Sequence, residues 1–351
     1  MSVKSATNGE QVTLHNNDPM LSLPIVCAAS HQVTTDIINA DCAVGLKTLP
    51  AMSIDLVMTS PPYAGRRKRT YGGVPADQYV EWFLPIADEL YRVLKPKGSF
   101  ILNIKEHVAN GERHIYVMNL IIEMRKRGWL WTEEYIWHKR NSYPGKWPNR
   151  FRDAWERCIH FTKVREFAMY QESVMVPMGD WRHARLNSLG KNDYVRQKSR
   201  TNSGFGWRMA NWTGRKMAYP ANVLHLATVG RNKGHSAVFP ASLPEWFIKL
   251  FTKAGDTVLD PFMGSGTTLQ VAQNLNRHSI GIEVLSEYCE AAKLELIKTR
   301  QSNISSSSLN HIPNKSISLI NLQAQKAQDQ EEARRNIPIK PMNHEKAQGS
   351  R

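Results

Sequence analysis

Two apolar strands separated by a glycine turn and a helix leave this chain little choice of fold. Thr257-Val258-Leu259-Asp260 ends in an acid, Gly264 and Gly266 follow, residues 267–276 carry a helical pattern, and His278-Ser279-Ile280-Gly281-Ile282-Glu283 ends in a second acid. Strands joined through a crossover helix run parallel, and a parallel sheet must be covered on both faces. The same alternation runs upstream. Residues 37–41 read as a strand ending in Asp41, 42–50 as a short helix and 54–58 as a buried strand. Residues 79–94 carry Trp82, Phe83, Ile86, Leu90 and Leu94 at helical spacing, and Lys95-Pro96-Lys97-Gly98 stops that helix. A strand over 99–104, a helix over 115–127 and strands over 130–137 and 158–162 follow. The expectation is an α/β chain with a doubly wound, mostly parallel sheet.

The glycine turn is also a place for a ligand. Gly264 and Gly266 let the backbone approach closely, and a helix starting at Thr267 exposes unpaired N–H groups. Glu283 stands roughly 20 residues on, where a nucleotide-binding βαβ unit puts an acid on a ribose. A dinucleotide fingerprint wants a third glycine three residues after Gly266, but Leu269 is there. The pattern therefore suits a cofactor with a charged amino-acid end, met by Asp260, and a ribose, met by Glu283. A plain crossover with tight turns is the alternative.

A second motif follows the strand over 54–58: Thr59-Ser60-Pro61-Pro62-Tyr63. Each proline fixes its own φ, lacks an N–H and restricts the residue before it, so the turn is stiff and non-helical. Ser60 and the Pro61 carbonyl offer fixed acceptors for an amino group, and Tyr63 offers a flat surface for a ring. The bland alternative is a proline turn with a packed tyrosine. Because a sheet does not depend on where the chain ends lie, the strand before Ser60 and the strand before Asp260 can be neighbours at a topological switch point.

Taken together, Ser60-Pro61-Pro62-Tyr63 and Asp260-Pro261-Phe262-Met263-Gly264-Ser265-Gly266 resemble the S-adenosylmethionine-dependent DNA amino-methyltransferases, in the motif order of their beta subgroup. The resemblance implies a Rossmann-like methyltransferase sheet and methylation of an exocyclic nitrogen of a base flipped out of duplex DNA. Ser60, Pro61, Pro62 and Tyr63 would be catalytic; Asp260, Phe262, Gly264, Gly266, Thr267 and Glu283 would hold S-adenosyl-L-methionine. Asp41 would face its adenine, although on sequence alone Asp41 reads equally well as a helix N-cap. Ser242-Leu243-Pro244-Glu245 carries a capping-box signature, and its helix occupies the place of the family motif beside the methionine end. Serine at the first catalytic position resembles the cytosine-N4 members. An adenine-N6 enzyme, a methyltransferase acting on RNA or a protein amide, and a non-catalytic DNA-binding regulator are the rival readings. The resemblance further implies the modification half of a restriction–modification system, with a cognate endonuclease acting on the same site and not necessarily in contact.

Charge agrees with a polyanionic partner. The 351 residues carry a formal net charge of +15, with a pI near 9.7. Residues 165–233 hold twelve Lys/Arg and four Asp/Glu, a net of +8, interleaved with aromatics. This basic target-recognition insertion, bounded at 165–235, puts Arg196, Arg200, Arg208 and Arg215 forward as DNA contacts. Arg66, Arg67, Lys68 and Arg69, directly after the catalytic turn, form a second basic cluster. The insertion divides one methyltransferase domain into a catalytic half, 33–164, and a cofactor half, 236–300; a flexible arm, 1–32, and a disordered tail, 301–351, flank it. No segment approaches ~18 apolar residues, and the four cysteines show neither metal-ligand spacing nor a disulfide pattern, so a cytoplasmic, metal-free protein is expected. The cysteines read as buried small hydrophobes. Oligomeric state is left open.

Overall fold

The computed structural model describes residues 33–65, 73–142, 144–145, 148–179, 188–191, 214–229 and 239–309. The arm over 1–32, the Arg66–Arg69 cluster, Arg196, Arg200, Arg208 and the chain beyond 309 lie outside the described residues. Twelve strands and six α-helices are present among those described: β1 Thr35–Asn39, α1 Cys42–Lys47, β2 Ile54–Thr59, α2 Tyr79–Val93, β3 Leu94–Ile104, β4 Val108–Ala109, β5 Glu112–Arg113, α3 Tyr116–Lys126, β6 Leu130–Lys139, β7 Trp155–Thr162, β8 Val176–Pro177, β9 Met217–Ala218, β10 Val223–Leu226, α4 Ser242–Phe251, β11 Thr257–Asp260, α5 Thr267–Asn274, β12 His278–Glu283 and α6 Ser286–Leu309. Eight strands build one sheet in the order β1-β12-β11-β2-β3-β7-β6-β10. All pairs are parallel except the two made by β7, which is antiparallel to β3 and to β6. The doubly wound, mostly parallel sheet expected from the alternation is present.

Strand alternation splits the core into two layers. Val57, Phe100, Leu102, Phe161 and Leu259 face one side and pack under α1, α2 and α3. Leu56, Met58, Ile101, Cys158 and Val258 face the other, under α4 and α5. A period of two along each strand is the cause. Helix α2 supplies Phe83, Ile86, Ala87, Leu90 and Val93, all buried, at the spacing of one helical face. Helix α4 does the same with Leu243, Phe247, Leu250 and Phe251. Burying both faces explains why the central strands read as continuous apolar runs rather than alternating ones. Cys42, Cys158 and Cys289 are buried and free, as expected of small hydrophobes.

Strand order reverses at β11 and β2. From β11 the chain crosses through α5 to β12 on one side; from β2 it proceeds through α2 to β3 on the other. Val258 and Leu259 pair with Leu56 and Val57, so the carboxyl ends of these two strands flank the switch point, where open α/β sheets bind ligands.

Several local expectations change. Strand β3 begins at Leu94, because Leu94 already pairs with Ile54 and Lys95 forms an ion pair with Asp55 across β2. Strand β10 lies inside the expected insertion yet pairs in parallel with β6, so the sheet resumes at Val223, before the 235/236 boundary. Phe167 and Val174 likewise pack into the second core layer. Helix α6 continues through Leu309, beyond the 300/301 boundary, despite the serine run. Among the described residues no helix is long and apolar enough to cross a membrane.

The capping box at α4 does not form. Ala241 occupies the N-cap in a helical conformation and no side chain caps the helix. Glu245 instead pairs with Lys249 one turn on. Apolar burial, not capping, holds this helix. Ser242→Ala should therefore change unfolding free energy by less than about 0.5 kcal/mol, where a working cap predicts a loss of about 1 kcal/mol; urea denaturation distinguishes the two.

Candidate active site

At the switch point a single carboxylate ties four pieces of chain. Asp260, the last residue of β11, is buried at 1 % exposure. Its Oδ1 accepts from Thr59 Oγ1 at 2.7 Å and from the Phe262 N–H at 3.2 Å, and its Oδ2 accepts from Thr268 Oγ1 at 2.6 Å. Thr59 ends β2, Phe262 opens the glycine turn and Thr268 lies in the first turn of α5. The catalytic turn and the glycine turn, 201 residues apart, are thereby joined by one hydrogen bond. Asp260 was expected at the amino-acid end of a cofactor. The structure instead places it behind the cavity wall, with both oxygens occupied by protein donors.

The glycine turn has the conformation its residues require. Gly264 has φ +52° and Gly266, the N-cap of α5, has φ +81°, the left-handed region open to glycine. A Cβ on Gly266 would also sit 2.9 Å from the Ala292 side chain on α6. Gly264 N–H donates to Glu283 Oε2 at 3.0 Å, and Glu283 Oε1 accepts from the Leu285 N–H at 2.9 Å. Glu283 ends β12 and is buried at 4 % exposure, yet its side chain borders the cavity. Asp41 does two things at once: it caps α1 through Ala43 N–H and it lines the same cavity.

That cavity has a volume of about 1060 Å³, at the top of the range for small-molecule sites. Its wall follows the sheet order. Asp41 and Glu283 lie beyond β1 and at the end of β12, Gly264 and Thr267 after β11, Ser60 to Tyr63 after β2, and Asn103, Glu156 and Lys139 on β3, β7 and β6. Trp82 of α2 and Phe262 make an aromatic side, ring centres 5.9 Å apart. The structure thus brings together every expected catalytic residue, and every expected cofactor residue except Asp260 and Gly266, in one cavity wall. Arg215, the described member of the expected DNA contacts, is exposed just before β9 and is not in that wall.

Sequence reading missed the network behind Tyr63. Tyr63 Oη donates to Glu156 Oε2 at 2.7 Å, with Asn103 Oδ1 a second acceptor at 3.2 Å. Ser60 Oγ donates to Tyr63 Oη at 3.3 Å, and Lys139 Nζ forms an ion pair with Glu156 Oε1. Asn103 is fixed in turn by donating to the Arg157 carbonyl at 3.1 Å. Burial, then the Glu156 charge, push the Tyr63 phenol well above its usual range, so it keeps its proton. Asn103, Lys139 and Glu156 stand singly on three strands, and no spacing in the sequence relates them. Among the described residues no group of three or more His, Cys, Asp or Glu could hold a metal.

Burial raises the Asp260 carboxyl from its ordinary 3.8 to about 6, against the pull of its three hydrogen bonds. The folded chain then holds a proton that the unfolded chain has lost between those values. The stability this group contributes is full below 3.8 and is lost as pH rises through about 6. Asp260→Asn abolishes that titration. The melting temperature of the wild type relative to Asp260→Asn should therefore fall between about pH 4.5 and pH 7; a difference that is flat or rises over that range contradicts the burial account.

Comparison with known proteins agrees with this geometry. Residues 54–294 match the DNA methylase family, N6_N4_Mtase, a span that begins just before the catalytic turn and ends after Glu283. The type II methyltransferase M.PvuII of Proteus hauseri is 31% identical over 291 residues, which cover 77% of this chain and 85% of that protein. The solved PvuII DNA methyltransferase (cytosine-N4-specific) aligns with a TM-score of 0.56 at 28% identity, over 74% of this chain and 85% of that one. A putative DNA modification methylase from Thermus thermophilus, complexed with S-adenosyl-L-methionine, shares the fold at a TM-score of 0.50 and 24% identity, over 76% and 94% of the two chains. With a proline turn and a glycine turn meeting at one switch point, and a family match over most of its length, this chain belongs to the DNA methylase family.

Proposed function

We propose that this protein is a site-specific DNA methyltransferase that transfers a methyl group from S-adenosyl-L-methionine to the exocyclic N4 of cytosine in duplex DNA. The observation that carries this reading is the placement of Ser60-Pro61-Pro62-Tyr63 in the same cavity wall as Gly264, Thr267 and Glu283. The residues fit the cofactor: two carboxylates border the cavity, Glu283, which the family resemblance assigns to a ribose, and Asp41, which it assigns to an adenine. The left-handed Gly264 brings open backbone to the wall, with no atom within 4 Å of where its Cβ would be. When bound, S-adenosylmethionine supplies an electrophilic methyl carbon on its sulfonium.

The chain's own task is to present the amine. An exocyclic amino nitrogen is a poor nucleophile because its lone pair is delocalised into the ring. Ser60 Oγ and the Pro61 carbonyl accept its two N–H bonds and favour the pyramidal form that can attack. Two prolines keep these acceptors in fixed places, and alignment of this kind supplies much of the rate. Flipping the base out of the duplex costs a few kcal/mol, and stacking on Tyr63 offsets roughly 1–3 kcal/mol of it. A cavity of about 1060 Å³ has room for a cofactor and an extruded base together. DNA is held by the basic residues, through the +8 insertion and the Arg66–Arg69 cluster.

Cytosine is favoured over adenine by the uncharged Ser60 and by the likeness to a relative titled cytosine-N4-specific. The matched family name spans both chemistries, so N6-methyladenine is the second reading. The type II methyltransferase relative supports a role in restriction–modification; a cognate endonuclease acting on the same site completes that proposal. Nucleoside mass spectrometry of DNA treated with the purified protein and cofactor should reveal N4-methylcytosine, absent with Pro61→Ala. N6-methyladenine would overturn the reading of Ser60 and keep the site; 5-methylcytosine would overturn the mechanism, which has no nucleophilic thiol.

A further inference from the structure

We infer that Glu156 is a positioning residue for methyl transfer, acting through the Tyr63 hydroxyl to keep Ser60 Oγ an acceptor. The inference rests on the proposed function and adds to it a residue on a different strand, 93 positions from Tyr63.

Hydrogen-bond direction carries the argument. A carboxylate paired with an ammonium ion is ionised and can only accept. Lys139 Nζ occupies Oε1 of Glu156, which leaves Oε2 facing the Tyr63 hydroxyl at 2.7 Å. Tyr63 has one proton and two acceptors within reach, Glu156 Oε2 and the more distant Asn103 Oδ1 at 3.2 Å. The shorter, charge-assisted bond takes it. Tyr63 Oη is then an acceptor towards its other neighbour, and Ser60 donates to it at 3.3 Å. With its own proton so directed, Ser60 Oγ turns lone pairs to the cavity. At Ser60 an amine that must be gripped by its N–H bonds then meets an acceptor, not a competing hydroxyl donor.

The alternative direction would be unproductive. A serine hydroxyl free to rotate would donate to the delocalised amine nitrogen or to the ring acceptor beside it for part of the time. Burial makes the direction persistent: Glu156 is 7 % exposed and Asn103 1 %, so water does not rescue a misdirected proton. Lys139 is held over the Trp137 ring at 5.0 Å, and Trp137 Nε1 donates to the Leu226 carbonyl at 3.1 Å. The ion pair is thus anchored to the far side of the cavity, on β6 and β10.

Glu156→Gln tests the direction with little change of shape. The amide oxygen goes to Lys139, so the amide NH2 faces Tyr63 and donates to it. The Tyr63 proton, deprived of its charged acceptor, turns to Asn103 Oδ1 or to Ser60 Oγ, and Ser60 Oγ loses its fixed direction. Single-turnover methyl transfer by the full chain, with saturating cofactor and duplex DNA, should slow by about tenfold or more, while KM for DNA and calorimetric cofactor affinity stay within about twofold. Tyr63→Phe should slow the step similarly, and the double variant should be no slower than the slower single one, because both remove one chain of bonds. Should Glu156→Gln fail to fold, Tyr63→Phe keeps the ring and the Glu156–Lys139 pair and must show the same selective loss. An unchanged rate in either variant, multiplied losses in the double variant, or a parallel loss of DNA and cofactor binding overturns the inference. A wild-type protein that methylates no base overturns the proposed function and this inference with it, whereas an active wild type with an equally active Glu156→Gln overturns this inference alone.

Discussion

The carboxylate of Asp260 is the constraint from which the rest of the site follows. It accepts from Thr59 at the end of one central strand, from Thr268 in the helix after the glycine turn, and from the backbone that opens that turn. Thr59 and Asp260 still pair within the sheet, with Leu102 and Gly281, and beyond them the chain leaves the ladder. There one buried acid accepts from two hydroxyls and one backbone amide. The cost is a raised pKa, and the gain is that two loops distant in sequence share a fixed frame. Each loop alone could adopt other conformations. Tied to Asp260, the proline turn and the glycine turn face one cavity.

From that frame the two halves divide the chemistry. Beyond β11 and β12, left-handed Gly264 and Glu283, bonded to each other, border the cavity beside Thr267. Beyond β2, β3, β6 and β7, Ser60, Tyr63, Asn103, Glu156 and Lys139 make a hydrogen-bonded wall suited to a base edge. The antiparallel β7 matters here. Its amino-terminal end, not its carboxyl end, lies beside the switch point, and that is how Glu156 reaches the cavity. A sheet parallel throughout would put Thr162 there instead.

Much of this was legible in the residue order, for identifiable reasons. The apolar strands, the amphipathic helices α2 and α4, and both turns announce themselves because burial, helical spacing and φ restriction are local properties. That β2 and β11 can be neighbours was open to the sequence, because a sheet does not depend on where the chain ends lie; the structure pairs them. What the sequence hid is non-local. Glu156 and Lys139 matter because β7 runs opposite to its neighbours, and nothing near either residue signals strand direction. Asp260 resembled a cofactor ligand because its hydrogen-bond donors, Thr59 and Thr268, are assigned only once β2 and the helix turn are adjacent. The α4 capping box failed because the helix begins at Ser242 itself, with Ala241 as N-cap, so the serine lies in the first turn where it cannot cap.

The central claim is that Asp260 aligns the catalytic turn with the cofactor half. Thr59→Val removes the hydroxyl that joins β2 to Asp260 while keeping shape and leaving Thr268 and the Phe262 amide in place. Measured by single-turnover methyl transfer at saturating cofactor, alongside calorimetric cofactor binding, this variant should lose about tenfold in rate for a lost charge-assisted bond while cofactor affinity holds within about threefold. An unchanged rate would contradict the account, as would a loss of cofactor affinity equal to the loss of rate, because either result would place the alignment of the two loops somewhere other than Asp260.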